Sequence, residues 1–174
     1  MASPRIVLMG PPGSGKSSVG RALAQAWNEP FRDTDEDIAA QVGKTIAEIF
    51  VDDGEPHFRE LERAAVAHAL AEHHGVLSLG GGAILDSQSQ ELLTAYSQGG
   101  GEVVFLDVSL AAAAPRVGFN RSRPLLVGNP RQQWQVLMDA RRPTYERLAT
   151  LTVSTDDLSP TQVVEAIEQL EARP

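Results

Sequence analysis

Eight consecutive residues, Gly10-Pro11-Pro12-Gly13-Ser14-Gly15-Lys16-Ser17, fit the spacing G-x-x-x-x-G-K-[ST] of a phosphate-binding loop. Glycines there let backbone N–H groups point inward around phosphate oxygens, and the N-terminus of the following helix adds positive potential. Lys16 supplies a full charge for the β- and γ-phosphates, and the Ser17 hydroxyl can bind Mg²⁺. The nucleotide-binding set expected from this loop is Gly13, Ser14, Gly15, Lys16, Ser17 and Ser18. A tight glycine turn before a helix is the alternative.

A phosphate cradle does not identify the acceptor. The Asn-Lys-x-Asp element of many guanine-specific GTPases needs a lysine outside the loop, and the only other lysine, Lys44, follows Gly43. A length of 174 residues argues against a large motor ATPase. A small-molecule kinase is the economical reading. On the acceptor side, Asp33-Thr34-Asp35 closes a candidate strand, where residues two apart project to one side. One carboxylate could orient Mg²⁺ through water while the other accepts a proton from an attacking hydroxyl. An Asx-type turn with helix capping by Asp35 is the competing reading. Arg59 has an ordinary explanation as an ion-pair partner of Glu62 or Glu55. Gly80-Gly81-Gly82 directly follows a strand, as a close backbone approach to a ligand or a flexible turn would require. Val103-Val104-Phe105-Leu106-Asp107 has the form of a Walker B strand, which would make Asp107 a metal acid; otherwise Asp107 caps the next element of the chain. His57, His68, His73 and His74 read as surface or helix residues without metal-like partners.

Charge supports an anionic small-molecule ligand. The net charge is −8, which argues against nucleic acid as the main partner. Seven arginines nevertheless fall between Arg116 and Arg147 against two acids, Asp139 and Glu146, giving that window +5. Local arginine enrichment in an acidic chain suits a small, highly charged anion. Zero cysteines leave no disulfide framework or thiolate site and fit a cytoplasmic protein. No apolar run is long enough to span a bilayer, and Met1–Met9 is too short an apolar start for a signal peptide. No membrane partner is therefore expected, and the chain is expected to be a monomer.

These residues need a scaffold. Short apolar runs alternate with longer helical patterns, the signature of βα units and a parallel sheet in one domain spanning 1–174. Strands are expected at Arg5–Met9, Phe31–Thr34, Val76–Leu79, Glu102–Leu106 and Leu151–Val153. Near-continuous apolar runs in the first, third and fourth suit central strands covered on both faces. Helices are expected at about Lys16–Trp27, Thr45–Val51, Glu55–His73, Ser87–Ser97, Leu110–Val117 and Arg131–Thr144. A last helix starts at Ser159-Pro160-Thr161-Gln162, with an N-cap serine, a proline at the first helical position and Val163, Ile167 and Leu170 on one face. The arginine-rich stretch at about 117–130 reads as a mobile lid.

Taken in order and spacing, the chain resembles shikimate kinase along nearly its whole length. The resemblance rests on the loop at 10–17, Asp33-Thr34-Asp35, Phe58-Arg59 followed by Glu62, Ser78-Leu79-Gly80-Gly81-Gly82, Arg123-Pro124-Leu125-Leu126, and Arg141 with Pro143 and Tyr145. It implies a three-layer α/β/α P-loop kinase fold of the nucleoside monophosphate kinase type, with a five-stranded parallel sheet and a mobile lid. It implies transfer of the ATP γ-phosphoryl group to the 3-hydroxyl of shikimate, on the route to chorismate and aromatic amino acids, with Mg²⁺ as cofactor. By that resemblance the acceptor-binding region is about 33–62. Asp35 holds the shikimate hydroxyls as the base, Arg59 and Arg141 pair with the carboxylate, and a backbone amide at Gly81 or Gly82 adds to the site. Arg123 reaches from the lid to the transferring phosphate as a catalytic residue with Lys16 and Asp35. Arg116 lies on the nucleotide side, and Asp33 joins Ser17 at the metal. Thr155-Asp156-Asp157 lacks the arginine that some relatives carry near the adenine. Another metabolite kinase on the same scaffold, for gluconate or a nucleotide, and a non-catalytic nucleotide-binding regulator are the alternative functions.

Overall fold

Near-continuous apolar runs at positions 6–9, 76–79 and 103–106 leave too little polar surface for an exposed sheet, and they form its interior. A computed structural model of the chain describes residues 3–118 and 129–174. Five strands, β1 (Ile6–Met9), β2 (Phe31–Asp33), β3 (Val76–Ser78), β4 (Glu102–Asp107) and β5 (Leu151–Ser154), pair in the order β2-β3-β1-β4-β5. Every pairing is parallel, with Val7 opposite Leu77 on one side and Val103 on the other.

Alternation along β1 divides the core. Ile6 and Leu8 face a layer containing Val19, Leu23, Val163 and Ile167, while Val7 and Met9 face Val66, Leu93, Met138 and Tyr145. The first layer is α1 (Lys16–Trp27) and α8 (Pro160–Glu171). The second is α4 (Glu55–Glu72), α5 (Ser87–Gln98), α6 (Leu110–Val117) and α7 (Pro130–Leu148). Each fully buried Leu or Ile in this sandwich contributes roughly 1.5–3 kcal/mol. The result is the expected three-layer α/β/α arrangement.

Helix ends follow local chemistry. Ser159 caps α8 through Gln162 in a reciprocal capping box, as its sequence predicts. Thr45 and Glu48 do the same for α3 (Ile46–Asp53). One helix was not anticipated: α2 (Thr34–Val42) begins directly after β2, and Asp33 is its N-cap, accepting from the Asp35 and Glu36 amides. Asp33 and Asp35 therefore do not share a strand face. Asp33 ends the strand and Asp35 occupies the first helical turn, where the Asp33 carboxylate at the N-cap satisfies amides that the helix start would otherwise leave unpaired. Ile38 of α2, Ile49 of α3 and Phe58 of α4 make a small third core beneath this turn. α7 continues past Pro143 to Leu148, four residues beyond the expected end, since Tyr145 and Leu148 are buried in the main core. His73 is also buried, where it ends α4 with its ring against the Val76 carbonyl at 3.0 Å, rather than lying on the surface.

No helix among the described residues is long and apolar enough to cross a membrane. The expected lid at about 117–130 falls almost entirely outside the described residues, and Arg121 and Arg123 with it.

Candidate active site

The carboxyl ends of β1, β2 and β3 open into a cleft of about 420 Å³, whose lining includes Gly13, Lys16, Ser17, Asp33, Asp35 and Gly81. Open parallel sheets gather ligands at this end.

The donor side is the loop between β1 and α1. Gly13 and Gly15 hold φ of 83° and 89°, a region that strains any side chain with a Cβ. A Cβ at Gly10 would lie 2.7 Å from the Leu106 carbonyl, so the loop is packed tightly on β4. Trp134 of α7 donates its indole N–H to the Pro12 carbonyl at 2.8 Å, and Arg116 donates to the Gly13 carbonyl at 3.1 Å. Arg116 is itself held by Thr155, through Oγ1 at 3.1 Å and the carbonyl at 2.9 Å. Lys16 folds back on the loop, donating to the Gly10 carbonyl at 2.7 Å and the Pro11 carbonyl at 3.2 Å. Burial pushes its ammonium down to about 8, against the pull of Asp35 and Asp33. A phosphate in the loop would add negative charge beside this ammonium and hold it protonated.

Ser17 joins the two sides. Its hydroxyl donates to Asp33 Oδ2 at 3.1 Å, while Asp33 Oδ1 accepts from the Asp35 amide at 2.8 Å. Two hard oxygens fixed at the mouth of a phosphate cradle fit Mg²⁺, which keeps several waters and is bound through few protein ligands plus phosphates.

The acceptor side centres on Asp35. Its Oδ1 is buried and has no hydrogen-bond partner within the protein. Burial, reinforced by Asp33 and Glu62, pushes its carboxyl up to about 6, while Lys16 and Arg59 pull the other way. A buried carboxylate oxygen without a donor disfavours the charged form, in line with that upward shift. The three glycines fit closely around this turn. A Cβ at Gly80 would collide with Asp35 Oδ1 and lie 2.9 Å from Glu62 Oε2, and one at Gly82 would collide with the Arg59 guanidinium. A Cβ at Gly81 would meet only ordinary contacts, Pro12 at 3.5 Å and Arg141 Nη1 at 3.7 Å. The glycine run thus allows close approach to the site's own side chains. Arg59 is held by Glu62 at 2.7 Å and by Glu55 at 3.2 Å, so the ordinary ion pairs exist within the same site. Glu62 is buried, and burial pushes its carboxyl up against the opposing effect of Arg59.

Two contributors were not anticipated in the sequence. Thr34, fully buried between the two aspartates, accepts the Gly80 amide at 3.0 Å. The Tyr145 hydroxyl donates to the Gly81 carbonyl at 2.7 Å. Tyr145 stands four residues after Arg141 on α7, a spacing that places both on one face; nothing in the sequence signals the Gly81 contact. Asp107, conversely, already has a partner. Arg142 holds both its oxygens at 2.9 Å, so its carboxylate is spent on a bidentate ion pair, and Ser109 rather than Asp107 caps α6.

Residues 12–171 match the family profile described as shikimate kinase. The chain belongs to the shikimate kinase family. A shikimate kinase of Streptomyces coelicolor is 53% identical over 166 residues, covering 95% of this chain and 94% of that one. Among solved structures, a shikimate kinase from Acinetobacter baumannii in complex with shikimate superposes with a TM-score of 0.87 at 34% identity, covering 98% of this chain and 93% of that one. A shikimate kinase from Bacteroides thetaiotaomicron gives a TM-score of 0.84 at 30% identity, covering 99% and 100%. The shikimate kinase reading of the sequence and its fold class stand on these matches.

Proposed function

We propose that this chain transfers the γ-phosphoryl group of ATP to the 3-hydroxyl of shikimate, giving shikimate 3-phosphate and ADP for aromatic amino acid biosynthesis. The observation that carries the reading is the Asp35 carboxyl group lining the same cleft as a complete phosphate loop. An alcohol donating to that carboxylate is positioned and polarised at once. As the O–P bond forms and the bond to the ADP oxygen breaks, the alcohol proton passes to Asp35, whose raised basicity suits it to receive a proton near neutrality.

Lys16 leaves the Gly10 and Pro11 carbonyls to meet the β- and γ-phosphates, with the Gly13–Ser18 amides and Arg116 around the nucleotide. Ser17 and Asp33 hold Mg²⁺, which neutralises phosphate charge when bound. Arg59 and Arg141 bind the carboxylate of the acceptor, and the backbone at Gly81 and Gly82 shapes its floor. Arg123, outside the described residues, is assigned to the transferring phosphate by resemblance, within a lid at about 117–130. Catalysis in this arrangement is positioning and charge neutralisation, without covalent chemistry on the protein. A single domain acting as a cytoplasmic monomer on two small molecules completes the reading.

The test is ADP release followed by a coupled assay with shikimate, gluconate or a nucleoside monophosphate as acceptor, and with none. Release that depends on shikimate is expected. Equal release with and without shikimate, or a preference for another acceptor, overturns the reading.

A further inference from the structure

Tyr145 is fully buried, yet its hydroxyl is not idle. The ring stacks on Phe105 of β4, centroids 4.9 Å apart and planes inclined by 13°, so the side chain cannot swing without opening the core. From that fixed ring the hydroxyl donates to the Gly81 carbonyl at 2.7 Å, across 64 positions of sequence. The Arg141 guanidinium lies near enough to favour the ionised form of the same hydroxyl, and its Nη1 lies 3.7 Å from the Cβ position of Gly81. A phenol can donate once and still accept, so one oxygen can join a carbonyl on one side to a cation on the other. Arg141 has a long, rotamer-rich side chain, and holding it in one orientation before the acceptor arrives removes part of the entropy cost of binding.

We propose that Tyr145 is a positioning residue for the acceptor carboxylate, fixing the Arg141 guanidinium in register with the Gly81 turn. This rests on the reading of Arg141 as a carboxylate ligand. Tyr145 touches neither substrate. Its influence passes through Arg141 and the Gly81 peptide, both on the acceptor side, so the nucleotide subsite is left unaffected.

Tyr145→Phe removes only the hydroxyl and keeps the ring on Phe105. The KM for shikimate is expected to rise about tenfold, the size of one charge-assisted hydrogen bond. The kcat and the KM for ATP should stay within about threefold, which a general loosening of the core would not permit. With the methyl ester of shikimate, which lacks the charge that Arg141 receives, the penalty of Tyr145→Phe should shrink to less than about twofold. In an Arg141→Ala background the same substitution should add almost nothing, the non-additivity expected of residues acting as a unit. An unchanged KM for shikimate, an equal penalty with acid and ester, or full additivity with Arg141→Ala overturns the proposal. Wild-type protein inactive toward shikimate would instead overturn the underlying functional reading.

Discussion

Arg142 grips Asp107 with two hydrogen bonds of 2.9 Å each, Nη1 to Oδ2 and Nη2 to Oδ1, and so ties α7 to the end of the second-outermost strand. The pair is only partly covered, with side-chain exposures of 36% and 28%. Its carboxylate accordingly has a structural partner where a Walker B acid would have a metal. Asp107→Ala should lower stability by about 0.5–1.5 kcal/mol, in the range of a well-oriented but solvent-screened pair. The Mg²⁺ dependence of turnover should stay within about twofold of wild type. A large shift in the Mg²⁺ concentration needed for half activity would return Asp107 to the metal site.

Asp35 carries a stability cost that stems from its placement. Its carboxyl, at 3.8 ordinarily, is pushed up to about 6 in the folded chain, chiefly by burial. Below about pH 4 both folded and unfolded chains hold the proton, and no cost arises. Between about pH 4 and 6 the unfolded chain releases the proton first, so the cost grows, and above about pH 6 it is complete. Asp35→Asn should therefore melt higher than wild type at pH 7–8, by the equivalent of about 1–3 kcal/mol, and the advantage should fade toward pH 4. Melting curves across that range check it. An asparagine variant no more stable than wild type at pH 8 would contradict the burial argument.

Asp35 and Lys16 should set the pH dependence of turnover. The kcat/KM for shikimate should fall below about pH 6 as free Asp35 takes up a proton. The kcat/KM for ATP should fall above about pH 8 as Lys16, pushed down by burial, loses its charge. Lys16→Arg keeps its charge and should abolish the alkaline fall. Loss on the alkaline side that survives Lys16→Arg would assign it elsewhere.

The three glycines should not respond alike. Gly80→Ala places a methyl against the Asp35 and Glu62 carboxylates, both held in the buried turn, and should cost more than 100-fold in kcat/KM by displacing the base. Gly82→Ala meets the far end of Arg59, which can move, so the protein should fold and show a raised KM for shikimate. Gly81→Ala finds ordinary contacts and should be the mildest. Any other ranking, read from steady-state kinetics of the three variants, contradicts the packing described.

Much of this was legible in the residues. The phosphate loop and α1 appear where the spacing puts them, because the loop's glycines and the amphipathic pattern of Val19 and Leu23 specify the turn and the buried face together. The parallel sheet was readable from apolar runs too continuous for a half-exposed strand. α2 was not, because Asp33-Thr34-Asp35 satisfies a strand end and a helix start equally. The choice is made by Ile38 packing on Ile49 and Phe58, contacts made with other helices. From spacing alone Arg59 was visible only as a local ion-pair partner, with a carboxylate role coming from the resemblance, since its proximity to Gly82 depends on how α4 packs in the fold. Tyr145 stood in the sequence only among the residues that carry the family resemblance, and its reach to Gly81 exists only once α7 crosses the sheet.

The most direct test of the central claim is single-turnover phosphoryl transfer from prebound ATP at pH 7.5 and saturating shikimate, comparing wild type with Asp35→Asn. The asparagine can hold the acceptor by hydrogen bonding but cannot take its proton. A fall of about 10²–10⁴-fold in the transfer rate, with both substrates still bound, is expected of a lost general base. Transfer within about threefold of wild type would contradict the assignment of Asp35 as the group that receives the proton.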